Sequence, residues 1–172
     1  MTQLANVPSK TSLIYDVFGE QDSYSIYIVA KYEAFSDGKI SYTLFRHDID
    51  KTGNSRSFVK ASLPLGEDIC VDEIKVGSKL IVLACLESKQ IHLIDREKMN
   101  FLDPAIATIA LPEGEVFSPV TGIGSVNFKF KSDYFKILDR EGHLRILIST
   151  YHEATNSFKL HTYELITILS AD

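Results

Sequence analysis

Apolar residues in this chain fall in short runs parted by polar turns, and within the runs they alternate or run on without a helical period. The densest run, residues 80–86 (LIVLACL), is too apolar for a strand with one face in water. Ser88-Lys89-Gln90 after it is too short and polar for anything but a hairpin turn, returning along residues 90–95 (QIHLID). Upstream, residues 13–18 (LIYDVF) and 24–35 (YSIYIVAKYEAF) have the aromatic and β-branched make-up of strands. Asp37-Gly38 then marks a tight turn, because glycine accepts the positive φ it requires, and residues 40–47 (ISYTLFRH) return.

The polar stretch 48–56 reads as a loop, followed by a strand in 57–68 (SFVKASLPLGED) that should stop at Pro64, which cannot donate to a ladder. Short strands follow at 72–76 (DEIKV), 80–86 and 90–95. The stretch 107–115 (ATIALPEGE) reads as one more strand, with a helical turn starting at Asp103-Pro104 as the alternative. A loop bearing glycine and proline, 118–125, leads to strands at 126–138, 144–151 and 158–169, with turns at 139–142 and at Thr155-Asn156-Ser157. No segment offers an amphipathic helix of three turns. The expected fold is therefore all-β, an antiparallel meander of short strands: a flexible N-terminal lead-in over 1–11, then a single all-β domain over 12–172 in units of 12–67, 68–115 and 126–169.

The units echo one another. Leu63-Pro64-Leu65-Gly66-Glu67 and Leu111-Pro112-Glu113-Gly114-Glu115 agree at four of five positions, each after the last strand of a unit. A period of about 40–50 residues with several short strands per period marks β-propeller blades. Ile91, Leu93, Ile94 and Asp95 of QIHLID resemble the third strand of a WD40 blade, where aliphatics run into a Trp-Asp pair. The chain has no Trp and no Gly-His pair before the blade, so it departs from the regular motif. The resemblance covers residues 13–169 and implies a partial propeller of about three divergent, WD40-like blades, fewer than the roughly four to eight of a closed ring. A closed up-and-down β-barrel or a β-sandwich is the alternative fold.

Composition narrows the function. A net charge of −5 argues against a nucleic-acid or anionic-membrane binder, since a phosphate backbone is held by Lys and Arg. No run reaches the roughly 18 apolar residues of a membrane span, and the first residues lack a signal peptide's basic start and apolar core. Cys70 and Cys85 make no CxxC motif, and Cys85 lies in the most apolar run, so both are expected as buried free thiols in a reducing cytoplasm or nucleus.

Candidate chemistry is sparse. Asp48, Asp50 and Gly53 sit at calcium-loop spacing, but Val59 stands where a bidentate Glu is needed. Asp48-Ile49-Asp50 followed by Thr52 also matches a phosphatase nucleophile motif that belongs to an α/β fold, so the stretch is read as a polar loop. Gly122-Ile123-Gly124 starts a dinucleotide fingerprint that no helix continues. The five histidines lack ligand spacing, and His92 and His161 are expected to face outward from alternating strands. The one aromatic-basic interleave, Phe128, Lys129, Phe130 and Lys131 with Tyr134, is the candidate interaction surface, with its phenylalanines on the core side of a strand. Catalytic, metal and cofactor-binding residues are expected to be none. The function expected is non-enzymatic: a protein–protein interaction or scaffold module of an intracellular assembly, binding through sheet edges and blade loops, with a protein partner or self-association completing the propeller. A β-barrel holding a small apolar ligand is the alternative.

Overall fold

A computed structural model describes residues 9–19, 23–34, 37–50, 52, 59–118, 134–140 and 143–165. They form three antiparallel sheets in chain order, with no helix among the described residues. The first runs β1 (Ser9–Gly19), β2 (Ser23–Ala34), β3 (Ile40–Asp50), β4 (Val59–Gly66), each strand beside the next. The second runs β5 (Glu73–Val76), β6 (Leu80–Cys85), β7 (Gln90–Asp95), with β8 (Asn100–Phe101) and β9 (Thr108–Ala110) sharing the far side of β7. In the third, β12 (His143–His152) is central. β10 (Glu115–Phe117) and β11 (Phe135–Arg140) lie along one side of it and β13 (Ser157–Glu164) along the other.

Turn chemistry sets the hairpins. Gly38 takes φ +68° as it closes β2 onto β3, and Lys89, Met99 and Asn156 take the same left-handed region in later turns. The two Leu-Pro-x-Gly-Glu copies share a backbone feature: Gly66 and Gly114 both have positive φ, +89° and +77°, where the chain passes from one sheet to the next. Asp103 caps a turn through its carboxylate and carbonyl, receiving the amides of Ala105, Ile106 and Ala107 before β9 begins.

Several expectations need correcting. β1 starts at Ser9, inside the stretch read as a lead-in. β3 continues through Asp50, so the Asp48 to Asp50 stretch is strand and not loop. β4 does not stop at Pro64: Pro64 stands opposite Thr43, and the register shifts so that Leu65 is passed over between Pro64 and Gly66. Proline is tolerated because β4 is, among the described residues, an edge strand with one side free of ladder bonds. Among the described residues no sheet closes on itself, which does not fit a closed barrel, and the layering is three sheets deep, unlike a two-sheet sandwich.

The layering explains the LIVLAC run. Ile81, Leu83 and Ile94 on one face of the middle sheet pack with Tyr27, Val29, Tyr42 and Leu44 of the first. Leu80, Val82, Ala84, Ile91 and Leu93 on the other pack with Phe135, Leu144, Ile146 and Ile148 of the third. Every residue of β6 is buried, and each aliphatic side chain so buried contributes about 1.5–3 kcal/mol. Polar bonds tie β1, β5 and β11 together. Asp16 of β1 receives the Val76 amide of β5 at 2.7 Å, and Glu73 of β5 receives the Tyr134 amide beside β11 at 3.2 Å. Ser78 and Asp139 bond across the same junction.

Candidate interaction surface

Side chains on a strand alternate between faces, so the two outer sheets each keep one face off the core. On the first sheet the register aligns Leu13, Tyr15 and Val17 of β1 with Ala30, Ile28 and Ile26 of β2, and these with Thr43, Phe45 and His47 of β3. Tyr24 extends the row. Leu13, Tyr15, Val17 and Tyr24 are exposed, Tyr15 by 62%. Over β1 to β3 the described side chains of this face include no Asp, Glu, Lys or Arg. A solvent-facing sheet surface is normally polar. The charged residues among the described side chains of these strands, Asp16, Lys31, Glu33, Arg46 and Asp48, belong instead to the face turned toward the middle sheet.

The third sheet has a second apolar-rich face, which also carries a lysine. Tyr151 stands opposite Phe158, Ser149 opposite Leu160 and Leu147 opposite Thr162, with Val116 and Leu138 on the flanking strands and the exposed Lys136 opposite Leu147. Phe158 is 75% exposed and Leu160 63%. The Tyr151 and Phe158 rings lie 5.2 Å apart. At one end the face turns charged, where Glu164 receives both His143 and Arg145. β13 is also an edge strand among the described residues.

Of the residues first singled out for interaction, Phe128, Lys129, Phe130 and Lys131 lie outside the described residues, as does Gly122-Ile123-Gly124. Tyr134 is half-buried, edge-on to Phe117 at 6.2 Å and packed against the core between the second and third sheets.

Comparison with protein-family models, curated proteins and solved structures found no match.

The titratable groups form structural networks. Asp48 takes Ser25 and Arg46, each at 2.8 Å, and Lys60 at 2.7 Å, so both its oxygens are engaged within the protein. Burial opposes its charge, but Arg46, Lys60 and Ser25 outweigh that and lower its pKa from 3.8 to about 2. Glu115, 1% exposed, takes Thr150 at 2.6 Å, Lys159 at 2.7 Å and His161 Nε2 at 2.5 Å. Burial again raises its pKa, and these partners more than reverse it, to about 2. His161 therefore turns inward, against the outward expectation. An imidazole relay would bridge hydroxyl and carboxylate through its two different nitrogens. Here His161 Nε2 meets both Glu115 and Thr150, while the Thr150 hydroxyl donates to Glu115, so no hydroxyl is activated.

His92 also departs from expectation. The middle sheet has no water-facing side, so His92 is 5% exposed, with Nδ1 3.2 Å from the Thr108 hydroxyl and its pKa lowered by burial. The cysteines are not free: Cys70 and Cys85 are joined in a disulfide, with Cα atoms 5.3 Å apart. Asp72 makes a third donor beside them. The sulfurs are spent on each other, and the Asp72 carboxylate receives the Leu86 amide at 2.8 Å, so the trio holds no metal in this oxidised form. A cleft of about 380 Å³ beside the disulfide is lined by Glu67, Asp68, Asp72 and Glu87 against Lys31. Ile40, Tyr42, Ile69 and Leu86 also line it, so acidic and apolar side chains share its walls.

Among the described residues, no helix is long and apolar enough to cross a membrane.

Proposed function

We propose that this chain is a non-enzymatic protein–protein interaction module, a set of propeller-like sheets that works as a scaffold by packing its outer apolar sheet faces against another protein. The observation that carries the reading is the uncharged outer face of the first sheet, with Leu13, Tyr15, Val17 and Tyr24 in water. Left exposed, such a face costs free energy in proportion to its apolar area, and contiguous patches of this kind mark interaction sites. Three antiparallel units stacked face to face, with strands β1, β5 and β11 close together, also support the divergent-blade interpretation. Ile94 and Asp95, at the place of the blade's Trp-Asp pair, divide the work: Ile94 is buried, and the Asp95 carboxylate receives the amides of Glu97 and Lys98.

Compartment belongs to the same proposal. The expectation of cytoplasm or nucleus rested partly on free thiols, and the Cys70–Cys85 bond removes that part of its support. A persistent disulfide fits an oxidising compartment.

The test is capture of the tagged chain from its native cell beside the variants Tyr15→Lys and Phe158→Asp. Stoichiometric protein bound by wild type and lost by at least one variant is the expected result. Absence of any bound protein, or binding indifferent to both variants, overturns the reading.

A further inference from the structure

Resting on that reading, we propose that the occupant of these faces is a second copy of the chain, and that two copies close a ring of six sheets. The two inter-sheet contacts within the chain set the pattern. The first sheet packs on one face of the middle sheet, and the opposite face of the middle sheet packs on the third. The stack therefore ends in two different faces. The Leu13, Tyr15 and Val17 face stands at the first end, and the Leu147, Phe158 and Leu160 face at the last. Seating the last face of one copy on the first face of another repeats the packing already made twice inside each chain.

The contact joins two different faces, and with two copies it is made twice about a two-fold axis, so the interface as a whole is isologous and neither face is left in water. Two chains of three sheets give six, within the roughly four to eight of closed propellers. Strands about 4.8 Å apart rising about 3.3 Å per residue give each face a footprint of about 400–500 Å², so each copy contributes about 900 Å², enough for a stable interface at about 800 Å² per partner. The first face is uncharged over β1 to β3. On the last, Glu164 already meets Arg145 and His143 at the edge, and Lys136, exposed opposite Leu147, is the one further described cation the contact has to accommodate.

Light scattering on the purified full chain, with no other protein present, reads the proposal directly. Wild type should give twice the 19.3 kDa chain mass. Tyr15→Lys and Phe158→Asp should each halve it, at unchanged far-UV circular dichroism, because both side chains project into solvent. Mixing the two variants restores one undamaged contact, Phe158 of the first seated against Tyr15 of the second, so the mixture should recover dimer that neither variant forms alone. A monomeric wild type overturns the self-assembly, as does a Phe158→Asp variant that stays fully dimeric, which would mean that two first faces meet each other. A monomer that still captures a partner through these faces leaves the interaction module standing; a monomer that captures none removes both.

Discussion

The Val76 amide donates to the Asp16 carboxylate across 2.7 Å, joining β5 of the middle sheet to β1 of the first. Both residues are only partly exposed, and the bond fixes where one sheet starts relative to the other. It is a polar bond beside the apolar core in which Ile81, Leu83 and Ile94 meet Tyr27, Val29, Tyr42 and Leu44. Asp16→Ala should therefore cost about 1–3 kcal/mol, the penalty of stranding a part-buried donor. Urea unfolding would read this as a lower midpoint at unchanged slope, and Asp16→Asn, which keeps an acceptor oxygen, should recover part of the loss.

Alternate residues of the middle sheet report on different junctions. Ile81 faces the first sheet and Leu93 the third, both fully buried. Each cut to Ala should destabilise by about 2–5 kcal/mol. Amide exchange should divide the effects: Ile81→Ala should loosen β2 and β3 most, and Leu93→Ala should loosen β11 and β12.

Acid should unfold the protein in a defined window. Glu115 and Asp48 have folded pKa values of about 2, against ordinary values of 4.5 and 3.8. The unfolded chain thus takes up protons first as pH falls, so the stabilisation from both groups is complete above about pH 4.5 and is lost toward about pH 2. Thermal midpoints measured from pH 6 to 2 should fall through that window, and Glu115→Gln should flatten the decline while lowering stability at pH 6. An unchanged slope in Glu115→Gln would show that the carboxylate is not held as described.

Reduction should weaken the fold without dismantling it. The Cys70–Cys85 bond closes a loop of 15 residues, worth about 3 kcal/mol in loop entropy. Cys70→Ser should lower stability by that order, and reductant should do the same to wild type but not to the variant. Thiol titration of the denatured, unreduced chain should find no free thiol.

Strand positions were legible locally. Asp37-Gly38 announced its turn, β7 runs over residues 90–95 as read, and the unbroken LIVLACL run foretold a strand buried on both faces. The same signal was present and passed over in β2. There Ile26 and Ile28 alternate with Tyr27 and Val29, making both faces apolar, although only one of them meets the core.

The sequence by itself determined the class of structure, because hairpin turns and strand composition act between near neighbours: an antiparallel meander in three units with a doubly buried centre. Tertiary structure alone decided what lies between distant residues. It carried β4 through Pro64 by placing it at an edge, and turned His92 and His161 inward. It also joined Cys70 to Cys85 and left the Tyr15 and Phe158 faces at opposite ends of the stack. Each depends on which sheet packs on which face, a relation between segments tens of residues apart that no local pattern records.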